Sequence, residues 1–316
     1  MTTLGTATQL LELVCATLAA PAFLGWVSQC RAWLQNRSAP SLLQPYFGLR
    51  KLFHKDVVLA ENASPLFRVA PYVVFGTMVA AAAIIPSMGT GLPLSMAADA
   101  IALVGLLATA RVFLSLAAMD IGTAFGTLGA RREMMVGFLA EPALLMVVFV
   151  AAMISKTTSL PLIAEGLTTR ALALHPSLAF TAVGFTMVLL AENARIPVDN
   201  PATHLELTMI HEAMLLEYSG RHLAMMEWAA ALKLLNYACI GFALFIPWGT
   251  STEASGPQGL LLAVPVLVAK LAVAGAGLAL IETLSAKLRV FRAPEFLATA
   301  FLLAVLGLLM HLLLGD

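Results

Sequence analysis

Residues 134–155 read MMVGFLAEPALLMVVFVAAMIS. The run is apolar without alternation and long enough to cross a bilayer, which takes about 20 helical residues. A single carboxylate, Glu141, interrupts it. Similar runs occupy 5–29, 68–88, 97–119, 177–193, 224–247, 258–282 and 293–313, so the sequence predicts eight spans. The whole chain of 316 residues is 60% hydrophobic and only 11% charged, against about 25% charged in soluble domains. That much apolar surface needs lipid as its solvent. A lipid-facing backbone must satisfy its own hydrogen bonds, which leaves helices or a closed barrel. Run length and the absence of a period of two select helices. The expected fold is therefore an all-α integral membrane protein, one polytopic domain over 1–316.

The loops alternate in charge. Segments 30–67, 120–133, 194–223 and 283–292 carry most of the Lys and Arg, whereas 156–176 holds only Lys156 and Arg170. The positive-inside rule puts the basic loops, two of them long, in the cytoplasm and both termini outside. The N-terminal run lacks a basic leader and reads as a retained first span. Zero net charge offers nothing to nucleic acid. Cys15, Cys30 and Cys239 have no metal or redox spacing, and no nucleotide-binding or HExxH motif occurs.

Charge inside a span costs at least about 2.5–3.5 kcal/mol and marks an ion path by default. Glu141, Glu192, Glu227, Lys233, Lys270 and Glu282 are candidates on that ground. Lys270 and Glu282 read equally as structural charges that snorkel or pair with each other. Glu12, near the outer end of the first span, reads as a solvated edge residue. Glu192 and Arg195, three apart, form a possible self-neutralising pair. Glu227 and Lys233, six apart, do not stack on one helix, and each calls for a partner elsewhere.

Residues 191–221 read AENARIPVDNPATHLELTMIHEAMLLEYSGR. Pro197 and Pro201 break the backbone, and a helical pattern resumes after them. His204, His211 and Glu212 lack the spacing of a zinc site. A docking surface or a proton relay accounts for them better than a metal does.

This stretch resembles the family of subunit 1 of NADH:quinone oxidoreductase (complex I) and its relatives in membrane-bound group 4 nickel–iron hydrogenases. Ala191, Glu192, Asn193, Arg195, Pro197, Asp199, Glu206, Leu207, Glu217, Tyr218, Ser219 and Gly220 follow the family's order. Asn36-Arg37-Ser38-Ala39-Pro40, Gln44-Pro45-Tyr46 and Lys51-Leu52-Phe53 look like its first cytoplasmic loop. Gly129-Ala130-Arg131-Arg132-Glu133, with Glu141 beyond, looks like its loop between spans three and four. The wording IPVDNPATHLEL, Ala39 in place of Gly, and about three extra residues before Glu217 resemble the formate hydrogenlyase and hydrogenase-4 branch.

The resemblance implies a membrane-anchor subunit of a multisubunit oxidoreductase in the cell inner membrane, itself non-catalytic. It implies hydrophilic large and small nickel–iron subunits, iron–sulfur subunits and antiporter-like membrane subunits as partners, besides lipid. No cofactor is expected on this chain, and the nickel–iron centre and clusters belong to those partners. It assigns proton relay to Glu141, Glu192, Glu206, Glu217 and Glu227, supporting charge to Arg195, Asp199, Lys233 and Arg131, and docking to Arg37, Gln44, Tyr46 and Lys51. The rival readings are a quinone-binding complex I subunit and a stand-alone ion transporter.

Overall fold

The computed structural model describes residues 3–91, 99–169, 176–199, 210–251, 256–288 and 292–314. Eleven helices run through them: α1 (Thr3–Leu34), α2 (Gln44–Phe53), α3 (Pro65–Ile84), α4 (Ala100–Asp120), α5 (Ala124–Ser155), α6 (Leu160–Thr169), α7 (Pro176–Glu192), α8 (His211–Leu215), α9 (Gly220–Phe245), α10 (Gly256–Leu284) and α11 (Ala293–Leu314). Seven of these, α1, α3, α4, α5, α9, α10 and α11, are long and apolar enough to cross a membrane. The eighth expected span is α7, apolar but only 17 residues long.

Caps set several helix limits. Ser64 Oγ accepts from Leu66 N, with Pro65 at the first turn of α3, and Asp99 accepts from Ile101 N to start α4. Thr123 accepts from Gly126 N and starts α5 ten residues earlier than hydropathy alone indicates. The expected loop 120–133 therefore shrinks to 121–123, and Arg131, Arg132 and Glu133 ride on a helix.

α9 is the most buried span and packs against α1, α2, α3, α6 and α7. Around it, α3 packs on α4, α4 on α5, α5 on α7, and α11 on α7 and α5. α10 stands at another edge, chiefly against α1. With lipid outside, packing contacts rather than water exclusion hold such helices together, so small residues sit at the closest approaches. Gly184 of α7 meets Ala300 O of α11, where a Cβ would lie 2.9 Å away, and Gly307 meets Thr181 in the same interface. Large apolar side chains of α10 and α11, such as Leu261, Val273, Leu302 and Leu313, point outward.

At one end of the bundle, Glu12 is 4% exposed and accepts from Ser87 N (2.8 Å) and Met88 N (2.6 Å). It closes the turn after α3 rather than meeting water, which corrects the solvated-edge expectation. Ser251 pairs with the same turn, through its N to Met88 O and its O to Thr90 N.

At the other end the loops interlock. Val58 N donates to Ser219 Oγ, and that hydroxyl donates back to Val58 O, both at 2.8 Å. Tyr218 stacks on Phe67 at 4.0 Å between centroids, and its hydroxyl reaches Phe67 O. Ser64 N donates to Asp120. The Tyr-Ser-Gly part of the recognised motif thus fastens the first loop to the start of α9. Gly220 sits there at φ +52, and a Cβ would lie 2.7 Å from Asp56 O. Gly220→Ala should cost about 1–3 kcal/mol from left-handed strain and that clash. Gly48→Ala, in open space on α2, should be near neutral. Thermal unfolding midpoints of the two variants in detergent check this, and an unshifted Gly220→Ala would refute it.

Candidate functional site

α5 places Glu133, Gly137 and Glu141 four residues apart on one face. The side chain of Arg111 from α4 lies in the notch that Gly137 leaves: a Cβ there would be 2.7 Å from Arg111 Cδ. Arg111, 6% exposed, holds three carboxylates. Its Nη1 is 2.6 Å from Glu141 Oε1, its Nη2 donates to Glu192 Oε1, and its Nε faces Glu133 Oε1 at 3.8 Å. Lys233 of α9 completes the group, with Nζ 3.0 Å from Glu192 Oε2. As expected, Lys233 finds its partner on another helix.

Glu192 is the last residue of α7. Ala194 takes the left-handed conformation (φ 50), and Arg195 N returns to Leu190 O at 2.9 Å, which closes the helix. That turn carries Arg195 away from Glu192, so the expected Glu192–Arg195 pair does not form. Arg195 binds Glu282 of α10 at 3.2 Å, and Arg31 of α1 approaches the same carboxylate at 3.5 Å. Burial pushes the Arg195 guanidinium down, and Glu282 opposes the shift. Lys270 is not the partner of Glu282, from which it is separated by roughly 18 Å of helix at 1.5 Å per residue. Its Nζ donates to Ile246 O at 2.7 Å, and it stands 5.8 Å from the Phe242 ring.

Asp199 organises the next turn. Its Oδ2 accepts from Ile210 N (3.2 Å) and His211 N (3.3 Å), and its Oδ1 meets Lys287 at 3.4 Å. Leu288 N donates to Pro197 O at 2.8 Å. The 193–199 turn is thereby strapped to the end of α10.

A cavity of about 640 Å³ opens between α1, α2, this turn, α8 and α9. Pro21, Leu24, Leu49 and Leu234 give it an apolar wall, while Glu192, Arg195, His211, Glu212 and Glu227 give it a polar one. Asn193 Oδ1, Arg195 Nε and His211 Nε2 are buried without hydrogen-bond partners. Such atoms in a cavity of this size call for water.

The predicted relay residues thus divide. Glu141 and Glu192 meet through Arg111. Glu227 lines the adjoining cavity and, among the described residues, is in no ion pair. Glu217 is exposed on the loop end beside the Tyr218 clamp. Glu206 and His204 lie outside the described residues. Arg131 is exposed and does not join the cluster. Of the docking set, Arg37, Gln44 and Lys51 are exposed, and Gln44 also edges the cavity. Tyr46 is half-buried against α1, its hydroxyl donating to Leu18 O. The sequence reading missed Arg111 as a centre and Glu133 as its third carboxylate. The signal for Arg111 was present, since it is the lone basic residue within the apolar run 97–119.

Residues 8–313 match the NADH dehydrogenase family. The chain belongs to that family. Within it, the chain is 33% identical to formate hydrogenlyase subunit 4 of Escherichia coli (strain K12) over 91% of this chain and 92% of the relative. It is 34% identical to hydrogenase-4 component C of the same organism, over 78% and 77%. The fold is shared with a chain of the membrane-bound sulfane sulfur reductase, an archaeal respiratory membrane complex, with TM-score 0.83, 20% identity and 96% and 97% coverage. The family membership read from 191–220 stands, as does its hydrogenase-side wording.

His211 distinguishes the polar wall by its response to pH. Burial, with Lys233 next, pushes its imidazole from 6.5 down to about 4. The unfolded chain therefore takes up a proton first as pH falls, and stability drops between about 6.5 and about 4. His211→Asn should flatten that slope without altering stability at neutral pH by more than about 1 kcal/mol. Unfolding midpoints across this window check it; an unchanged slope would show that His211 protonates freely in the folded protein.

Proposed function

We propose that this chain is the membrane-anchor subunit of a hydrogenase or formate hydrogenlyase type of respiratory complex. It docks a hydrophilic redox arm and relays coupling protons through buried carboxylates. The observation that carries the reading is the Arg111–Glu141–Glu192–Lys233 cluster set against a polar cavity near the interlocked loops. The two relatives above 30% identity, named as a formate hydrogenlyase subunit and a hydrogenase component, support the choice of complex.

In this reading the loop end faces the cytoplasm, by the excess of Lys and Arg in its loops. The arm seats on residues 36–58 and 216–221, where Arg37, Lys51, Phe47, Phe53 and Leu216 are exposed. Nickel–iron and iron–sulfur centres belong to the arm, and this chain holds none. A redox step in the arm changes the field at the cavity. Glu192 is placed to respond, because it lies between cavity water and two cations. Its carboxylate joins the two cations to the cavity, so a change in the field there acts on it directly. Glu227 extends the acidic lining along α9. Antiporter-like membrane subunits are the expected recipients of the coupling.

Replacing the titrating group while keeping its shape tests the relay. In inside-out vesicles holding the assembled complex and driven by reduced methyl viologen, Glu192→Gln should leave hydrogen evolution within about twofold. Proton movement, read with a pH-sensitive dye, should fall at least about tenfold. Full dye response in an assembled Glu192→Gln complex excludes the relay role.

Docking is tested separately. Arg37→Glu combined with Lys51→Glu should release the hydrophilic subunits into the soluble fraction while the chain itself stays in the membrane. Membranes that retain those subunits at wild-type levels would move the docking site elsewhere.

A further inference from the structure

The Arg111 cluster does not balance. Arg111 and Lys233 supply two positive charges, and Glu133, Glu141 and Glu192 supply three negative ones, an excess of one negative charge. A buried charge without a partner is neutralised by a proton rather than tolerated. The three carboxylates are not equally placed to take it. Glu192 touches both cations. Glu141 holds Arg111 Nη1 at 2.6 Å. Glu133 has a side chain 9% exposed, forms no hydrogen bond among the described residues, and meets only Arg111 Nε, at 3.8 Å. Arg111 Nε is itself buried without a hydrogen-bond partner.

We propose that Glu133 stores the relayed proton, and that Arg111, seated in the Glu133–Gly137–Glu141 notch, is the positioning residue that keeps it there. The inference rests on the relay reading and adds to it a storage residue and a switch. A proton enters from cavity water at Glu192, which lines the cavity, and passes to Glu133, which does not. The cluster then goes from one excess negative charge to none. Arg111 loses only its long Nε contact and keeps Glu141 and Glu192. Release reverses the order: Glu133 ionises, the guanidinium turns back toward it, and the proton returns through Glu192. The notch makes this exchange possible, because without a Cβ at Gly137 the guanidinium stays against α5 whichever carboxylate it favours.

Charged and titratable groups stand around the cluster from each neighbouring element: Arg111 on α4, Glu141 on α5, Glu192 on α7, Asp199 after it, and Lys233 and Tyr237 on α9. Glu192 must be ionised to take the proton back, so transfer in either direction needs one of the two carboxylates protonated and the other not.

Infrared difference spectra of the assembled complex at neutral pH test the assignment, reading the protonated-carboxyl C=O stretch with and without deuterium exchange. The expected result is one such band in wild type, absent in Glu133→Gln, shifted in Glu133→Asp and retained in Glu141→Gln. Gly137→Ala, which pushes a Cβ against Arg111, should shift the band or its titration, and Gly48→Ala should not. A band that survives in Glu133→Gln, or that vanishes in Glu141→Gln instead, overturns the proposal. The spectra need no proton pumping. Loss of the storage residue and loss of the relay are therefore separate results, the second read by the vesicle dye response of Glu192→Gln.

Discussion

One cation, Arg111, constrains the arrangement of four helices. Its guanidinium stands in an apolar span of α4, where an unpaired charge is costly, and it cannot shed its proton. Carboxylates must come to it. Two arrive from α5 on one face, and the third arrives at the end of α7, where the left-handed Ala194 closes the helix. Lys233 then follows, because Glu192 presents a second oxygen that Arg111 does not use. Breaking such a pair from one side costs about 3–5 kcal/mol, so each partner fixes the helix that carries it. Gly137 leaves the notch in α5 that the Arg111 side chain fills.

The second charge group does a different task. Arg195, Arg31 and Glu282 join α1, the turn after α7 and the end of α10, and Asp199 with Lys287 adds a strap. α10 has little other purchase on the bundle beyond α1. Its position relative to the cavity is therefore set by the same turn that carries Glu192. Meanwhile the Ser219–Val58 exchange and the Tyr218–Phe67 stack tie the first loop to α9, on which Glu227 and Lys233 lie. A displacement at the loop end has two rigid routes to the carboxylates, one through α9 and one through the 193–199 turn.

The helical membrane fold was legible in the sequence because hydropathy integrates over a whole span and local errors cancel. Limits were less legible. A Thr123 cap outweighs ten residues of moderate polarity at the start of α5, and hydropathy does not register a cap. Within the site, Glu141, Glu192 and Lys233 stood out as charges in apolar runs. Pairing did not, since it depends on where helices meet. Arg195 lies three residues from Glu192 and looks like its neighbour, yet the left-handed Ala194 turns it toward Glu282. Glu12 illustrates the converse, a terminal acid that looks solvated and is buried by donors 75 residues away.

Glu133 shows why sequence context alone misleads about a carboxylate. Hydropathy places it at the end of the basic loop 120–133, beside Arg131 and Arg132. The α5 extension that Thr123 starts turns Arg131 outward, leaves Arg132 half-buried and sets Glu133 against Arg111 of α4. Adjacent residues on a helix point about 100° apart, so neighbours in sequence are the residues least able to neutralise it. Its charge must instead be balanced across the helix interface, by an arginine already committed to two other acids. That geometry makes the cluster sensitive to the addition of one proton, and it depends on three positions of α5 that no single-residue reading would connect: an acid, a glycine and an acid, each four apart.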